Sequence, residues 1–550
     1  MTVEGIAREA TRQGLVVGVR LSDTRDGDAP TPWTRPPSGP PRARFSTPLP
    51  PEVRAVLAQR LFVAKAGLAP AHLNQIKRLA AFQNPEFYKK QSLRLSTALT
   101  PRVIACAEDL PDHVALPRGS RTELEQILRE HGCVLLVEDQ RCDGEPLQVV
   151  FKGQLTAIQS RAARALLRED IGLLVAPPGV GKTVVGTYLI AARARRTLVL
   201  VHRQPLLDQW VAQLAMFLGL APRAIGQIGA GKQAPNGRLD VAMIQSLVRL
   251  GRVADLVATY GHVIVDESHR VPAVSFERVL SEVKARFVTG LTATPRRRDG
   301  LHPITEMQLG PVRFAVEPRS QAARHPFTHR LIVRDTTFGK GRLVSTDSIQ
   351  ALYAALAADD RRNHLVLDDV VSALAEGRSP ILLTERKDHL EYLAARLRRG
   401  ARHCVVLRGG MTPAERRAAA AALAAVPDDE PRLIIATGRY IGEGFDDARL
   451  DTLFLAMPIA WKGTLVQYAG RLHRLRPGKT EVRIYDYVDR EVPMLVRMFA
   501  KRRRGYRAIG YGRDESSLEA ASAGDASEHD ADADSLFALD SESTESAALE

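Results

Sequence analysis

The sequence predicts an α/β protein with two tandem domains on parallel sheets, preceded by a helical segment and a small mixed α/β domain. Three observations predict it. After Phe151, short apolar runs alternate with helical stretches, the signature of strand–helix–strand crossovers. The same alternation resumes after about residue 340, so the architecture occurs twice. Between the first apolar run and its helix stands "APPGVGKT", residues 176–183, a Gly- and Lys-bearing stretch of the kind that wraps backbone N–H groups round phosphate.

A length of 550 residues, 45% hydrophobic and 25% charged, fits three or four globular domains. The four cysteines, Cys106, Cys133, Cys142 and Cys404, lack metal-ligand spacing and are too sparse for a disulfide framework, so a reducing, cytoplasmic setting is expected. No basic-then-apolar leader and no apolar run near 18 residues is present, so a soluble protein without a membrane partner is expected. The net charge of +14 is unevenly placed. From Asp514 onward there are 12 acidic residues and no Lys or Arg, which leaves residues 1–513 with 77 basic residues against 51 acids, a net +26. A body so basic suits a polyanion or serves solubility alone.

Taken in order, residues 1–50 read as a Pro-rich segment and linker. Residues 51–99 read as helical, from the periodicity of "PEVRAVLAQRLFVAKAGL" and "AHLNQIKRLAAF". Residues 100–152 read as the small α/β domain. It has strands at "RVIACAE", "HVALPRG", "CVLLVEDQR" and "LQVVFK", and a helix in "SRTELEQILREHG" opened by a Ser120/Glu123 capping box. Residues 153–335 form the first large domain, with strands at "IGLLVA", "TLVLVH", "DVAMI", "HVIVDE" and "RFVTGLT". Residues 336–513 form the second, with strands at "PILLT", "HCVVLR", "RLIIAT", "DTLFLAM" and "EVRIYDY". Residues 514–550 read as a disordered acidic tail, either a solvated extension or a mimic of nucleic acid in the protein's own groove.

Two stretches compete as the phosphate loop. "APPGVGKT" follows a buried strand and opens the helix "TVVGTYLIAARARR", so loop N–H groups and helix N-terminus face one anion. Pro178, Gly179, Val180 and Gly181 shape the cradle, Lys182 reaches the β- and γ-phosphates, and the Thr183 hydroxyl ligates Mg²⁺. "GQIGAGKQ", residues 226–233, ends in Gln233, has no hydroxyl for the metal and is followed by a turn, so it reads as a Gly-rich hairpin. In "HVIVDESH" a buried strand ends in Asp266, placed for Mg²⁺, then Glu267, placed to orient or deprotonate water. In "QYAGRLHR", Gln467, Arg471 and Arg474 are spaced by four and three. On a helix that is one face, able to present arginines to a γ-phosphate, or else a basic surface stripe.

Together these motifs resemble the superfamily-2 helicases and translocases of DEAD/DEAH-box type over residues 151–512. Gln159 in "GQLTAIQ" is similar to the adenine-reading Gln, "LVLVHRQPLLDQW" to motif Ia, and "IQSL" to a motif on the DNA backbone. "GLTATPRRRDG" resembles motif III, "ILLTERKDHLEYL" motif IV, "ATGRYIGEGFD" motif V and "QYAGRLHR" motif VI. "TATPRRRDG", "LRGGM" and the "HVALPRG" unit resemble the XPB-like branch, the last its damage-recognition-type DNA-binding domain. The nearest likeness is to helicases of prokaryotic TOTE-type conflict systems, where a primase domain often precedes the motor; here the first 50 residues are too short for one. Motif II reads "DESH" where Ala or Cys often stands third.

The resemblance implies two RecA-like P-loop domains with ATP and Mg²⁺ between them. Gly442 and Asp446 join the nucleotide site, and His269, Thr292 and Thr294 couple hydrolysis to movement. His202, Arg203, Gln245, Ser246, Thr384, Arg386 and Thr437 face the DNA backbone. An ATP-dependent DNA helicase or translocase is expected, a monomeric motor on double-stranded DNA with little sequence preference. The alternatives are the motor subunit of a defence or restriction complex, with a nuclease or primase as partner protein, an RNA helicase, and a nucleotide-switched scaffold. The basic run "KRRRGYR" adds a DNA contact or is a solvated helix end.

Overall fold

The computed structural model describes residues 48–513 apart from 230, 250–251, 271–273, 295–298, 318–325, 340–347, 439–446 and 460–461. Gly442, Asp446 and the acidic tail lie outside the described residues.

The segment expected to be helical at its start is a hairpin. Strand β1 (Glu52–Leu57) pairs antiparallel with β2 (Leu61–Ala64), Ala55 facing Val63. Val53, Leu57 and Leu61 repeat every four residues, which imitates a helix face. Burial in β1 nonetheless alternates with period two, because a six-residue parallel ladder with β7 (Val134–Asp139) claims its backbone. Only the later stretch is helical, at Pro70–Arg78 and Pro85–Ser92, with a short ladder of β3 (Ala81–Gln83) and β4 (Val103–Ala105) beside them. The small sheet has the order β5-β6-β2-β1-β7, with β5 (Glu108–Asp109) and β6 (His113–Leu116) completing it. Strands from both sides of residue 100 therefore share one sheet.

Two local expectations in this region fail for identifiable reasons. The Ser120 hydroxyl makes no cap bond to helix Arg121–Glu130, because Ser120 itself has helical backbone (φ −76°, ψ −5°) as the end of the 3₁₀ turn Arg118–Ser120. That turn is the dock onto the first large domain. The Arg118 guanidinium, 3% exposed, donates to the carbonyls of Gln59 (3.0 Å), Leu280 (3.1 Å) and Val283 (2.6 Å). A Cβ on Gly119 would stand 2.3 Å from the Glu306 carbonyl oxygen, so only glycine permits this approach. "LQVVFK" forms no strand. It runs along the first large domain, held by Leu147 N–H to Ala194 (2.9 Å), Lys152 N–H to Phe217 (2.7 Å) and stacking of Phe151 on Phe217.

The first large sheet has the order β11-β10-β12-β9-β15-β16-β8-β17. Its strands are β8 (Ile171–Val175), β9 (Thr197–Val201), β10 (Gly226–Gly229), β11 (Lys232–Ala234), β12 (Leu239–Met243), β15 (His262–Asp266), β16 (Phe287–Thr292) and β17 (Val312–Ala315). All neighbours are parallel except β10 and β11, the hairpin expected of "GQIGAGKQ". A two-residue ladder of β13 (Val248–Arg249) with β14 (Arg252–Val253) lies apart. The second sheet has the order β20-β21-β19-β22-β23-β18-β24 and is parallel throughout. Its strands are β18 (Thr328–Asp335), β19 (Pro380–Thr384), β20 (Cys404–Leu407), β21 (Leu433–Thr437), β22 (Thr452–Leu455), β23 (Glu481–Val488) and β24 (Gly512–Arg513). β18 precedes the boundary expected at residue 335, yet pairs along its full length with β23. The α/β architecture with two parallel sheets and a small mixed sheet is as expected. Both large sheets are buried on two faces by helices, so their strands are continuous apolar runs. Among the described residues no helix is long and apolar enough to cross a membrane.

Candidate nucleotide site

Strands β15, β16 and β8 are neighbours, so the residues that follow their carboxyl ends meet in one crevice, the usual ligand position in an open α/β sheet. After β8 the chain turns through Gly179 (φ +94°) and Gly181 (φ +87°), left-handed positions that favour glycine, into helix Lys182–Arg193. The Gln159 amide braces this turn. Its Nε2 donates to the Val180 carbonyl (2.8 Å) and its Oε1 accepts the Thr156 N–H (2.9 Å), closing a true capping box. Lys182 Nζ folds onto the Ala176 carbonyl at 3.1 Å. Burial lowers its pKa, aided by Arg471 and Arg474 and opposed by Glu267 and Asp266. Both arginines of the second domain are thus within electrostatic reach of the loop lysine.

Asp266 ends β15, and both of its oxygens are held: Oδ2 by the Trp210 indole N–H (2.8 Å), Oδ1 by the Glu267 N–H (2.9 Å). Burial, then the adjacent Glu267 carboxylate, push its pKa up to about 6. Glu267 has φ +49°, a strained conformation for a residue with a side chain. His269 Nδ1 lies 3.2 Å from Glu267 Oε2 and 3.3 Å from Thr292 Oγ1. Thr292 Oγ1 in turn accepts the Thr294 N–H at 3.1 Å. One chain of contacts therefore joins Glu267, His269, Thr292 and Thr294. Thr183 opens the helix, partly buried. A carboxylate oriented by two donors, a hydroxyl residue beside the loop lysine and a helix N-terminus fit a Mg²⁺–polyphosphate pair.

The second domain closes the crevice. Helix Lys462–Leu472 lies on the loop: a Cβ on Gly470 would stand 2.5 Å from Pro178 Cβ, and one on Gly179 would stand 3.6 Å from the His473 carbonyl oxygen. Gln467 and Arg471 belong to that helix, with the Gln467 side chain outside the described residues. Arg474 does not, so a common helix face cannot align the three. The helix stops at Leu472 ahead of Pro477–Gly478, and Lys479 Nζ gathers the carbonyls of Leu472 (3.0 Å) and Arg474 (2.9 Å). We expect Gly470→Ala, although a better helix former, to wedge the crevice and lower phosphate release about a hundred-fold. Unchanged turnover would contradict that closure.

The residues assigned to DNA fall at neighbouring strand ends in each domain. His202 and Arg203 follow β9, Gln245 and Ser246 follow β12, and Gln245 Nε2 donates to the His202 carbonyl (3.0 Å). In the second domain Thr384 ends β19 and Thr437 ends β21. Thr437 Oγ1 accepts the Gly409 N–H (3.3 Å), and Arg386 pairs with Asp388 at 2.6 Å. Thr384 is buried, its hydroxyl 2.9 Å from His389 Nδ1, whose Nε2 is 2.9 Å from Asn363 Oδ1. Burial lowers the His389 pKa to about 4 from 6.5. The unfolded chain therefore takes up a proton first, and stability present above pH 6.5 is lost as pH falls toward 4, by roughly 3 kcal/mol. In melting curves from pH 7 to 4, His389→Gln should lose less stability than the parent.

Residues 150–297 match the family described as the type III restriction enzyme, res subunit. "DNA 3'-5' translocase XPB2" of Sulfurisphaera tokodaii is 26% identical over 275 residues, covering 50% of this chain and 56% of that protein. These matches make the chain similar to superfamily-2 helicases, XPB-like in kind. Two viral relatives extend the range. "Probable helicase D10" of Escherichia phage T5 is 26% identical over 330 residues, 58% of this chain and 68% of that one. "Putative ATP-dependent RNA helicase L396" of Acanthamoeba polyphaga mimivirus is 23% identical over 327 residues, 58% and 60%. The chain thus spans little more than half the length of the Sulfurisphaera relative. Trp210, Gly186, Gly470 and Lys479 pack against or bond the site residues and were not singled out from the sequence. A tryptophan within the apolar helix of "HRQPLLDQW" was the one legible signal among them, since a buried indole N–H requires an acceptor.

Proposed function

We propose that the chain is an ATP-dependent DNA translocase or helicase. The observation that carries this reading is the convergence of Lys182, Asp266 and Glu267 from one domain with Arg471 and Arg474 from the other across a single crevice. Lys182 and the loop N–H groups would bind the phosphates, with Gln159, Gly442 and Asp446 completing the nucleotide pocket. Thr183 and Asp266 would hold Mg²⁺, which supplies charge neutralisation of the phosphates when bound. Glu267 would accept a proton from the attacking water, oriented through His269. Arg471 and Arg474 would stabilise charge on the transferred group, with Gln467 beside them. Because those arginines arrive from the second domain, occupancy of the crevice sets the distance between the domains.

His202, Arg203, Gln245, Ser246, Arg386 and Thr437 would meet the nucleic-acid backbone, with Thr384 shaping that end of β19. Such contacts carry little sequence preference and weaken steeply with salt. The relatives named for DNA translocation and unwinding support DNA as substrate. Duplex DNA, a monomeric motor, a cytoplasmic setting and a nuclease or primase as partner protein would complete this reading. Phosphate release from ATP without nucleic acid, and with duplex DNA, single-stranded DNA or single-stranded RNA at low salt, tests the reading. Strong stimulation by duplex DNA is expected. Stimulation by RNA alone would move the substrate to the class named for the mimivirus relative, and none by any polymer would favour a nucleotide-switched scaffold.

A further inference from the structure

Among the described residues Trp210 heads the fully buried side chains by volume and is 0% exposed. It lies on helix Gln204–Leu218, which starts directly after His202 and Arg203. An indole carries one donor and no acceptor, so its burial demands a partner. Phe or Leu would fill an apolar site without that demand, so Trp here needs a reason. The partner is Asp266: Nε1 donates to Oδ2 at 2.8 Å while the Glu267 N–H holds Oδ1 at 2.9 Å, and the two donors together set the plane of the carboxylate. The far edge of the ring is set just as tightly. A Cβ on Gly186, within the helix that follows the phosphate loop, would stand 2.7 Å from Trp210 Cη2 and 3.3 Å from Leu291 Cδ1. One ring therefore packs on the phosphate-loop helix and bonds the metal carboxylate, while its own helix begins at the residues assigned to nucleic acid.

We propose that Trp210 is a positioning residue for the Mg²⁺ carboxylate, its N–H aiming Asp266 at the metal and its helix tying that aim to His202 and Arg203. The indole N–H is spent on Asp266 and offers no lone pair to a metal, so the residue would act through that carboxylate as an outer partner does. Any shift of helix Gln204–Leu218 on nucleic acid then moves the donor that orients the carboxylate, a route from the polymer to the metal independent of the second domain. The inference rests on the nucleotide reading above.

The test is Trp210→Phe in the full chain, which removes the donor and keeps most of the ring. ADP binding is measured by calorimetry in EDTA and over a Mg²⁺ series. Melting should fall by several degrees for the lost buried hydrogen bond. In EDTA the ADP affinity should match the parent, while the Mg²⁺ concentration that half-tightens ADP binding should rise roughly 10–100-fold. A packing role alone would move both affinities together. A Mg²⁺ midpoint within about two-fold of the parent, in a variant that folds and binds ADP in EDTA, would overturn the proposal. Should that variant not fold, Trp33→Phe/Trp461→Phe leaves Trp210 as the sole tryptophan of the three. Its emission should shift when Mg²⁺ joins ADP, and a constant spectrum would overturn the proposal. A parent that binds no ADP would remove the nucleotide reading itself, an outcome separate from a parent that binds and a Phe variant that matches it.

Discussion

Glu267→Gln is expected to bind ATP as tightly as the parent and to hydrolyse it roughly 10²–10⁴-fold more slowly. The amide keeps the size of the carboxylate and an oxygen for His269, whose Nδ1 lies 3.2 Å from Oε2, so the ground state should survive. It cannot accept a proton from water. The left-handed backbone at Glu267 (φ +49°) is a cost that ordinary packing would not retain, and it turns the side chain away from the line of β15 toward His269 and Thr292. Equilibrium ATP binding and single-turnover phosphate release, measured on the same preparation, separate the two effects. Near-parent turnover would refute Glu267 as the base.

Arg474→Ala is expected to lower kcat about a thousand-fold or more with a small change in KM, the mark of a group felt chiefly in the transition state. Arg471 and Arg474 both act on Lys182 through space, so each lies within electrostatic reach of the phosphate loop. Their supports differ. Arg471 is fixed by helix Lys462–Leu472, whereas Arg474 lies past its end, where Lys479 gathers the carbonyls of Leu472, Arg474, Ala448 (2.7 Å) and Leu450 (2.8 Å). Steady-state kinetics of Arg471→Ala and Arg474→Ala, separately and combined, check the assignment. Arginines acting on one charge should be far from additive. A rise in KM with kcat intact would make Arg474 a ground-state contact instead.

The two large sheets were legible because buried parallel strands are continuous apolar runs of five or six residues between helices, as "IGLLVA" and "RLIIAT" are. The phosphate loop was legible because it needs residue types that nothing else needs in that order. The "GQIGAGKQ" hairpin could be told from it by the missing hydroxyl and helix. The β1–β2 hairpin was not legible. Its apolar spacing satisfies a helix and a strand alike, and the deciding partner, β7, lies some eighty residues downstream in a parallel ladder. The Ser120 cap failed because Arg118 and Gly119 dock across domains and bend the backbone before the helix starts. Arg474 could not be placed by spacing, since where a helix ends depends on Pro477, Gly478 and a lysine that collects carbonyls from two loops. Trp210 was visible as an apolar residue in an apolar helix. Its acceptor became visible only when β15 was set beside β9 in the sheet.

The most direct test of the motor is displacement of a third strand from a triplex laid on duplex DNA, followed in the presence of ATP, of ADP and of ATP with Glu267→Gln. The account predicts displacement by the parent with ATP only, falling as salt rises. Retention of the third strand under all three conditions, alongside ATP hydrolysis that ignores DNA, would contradict it.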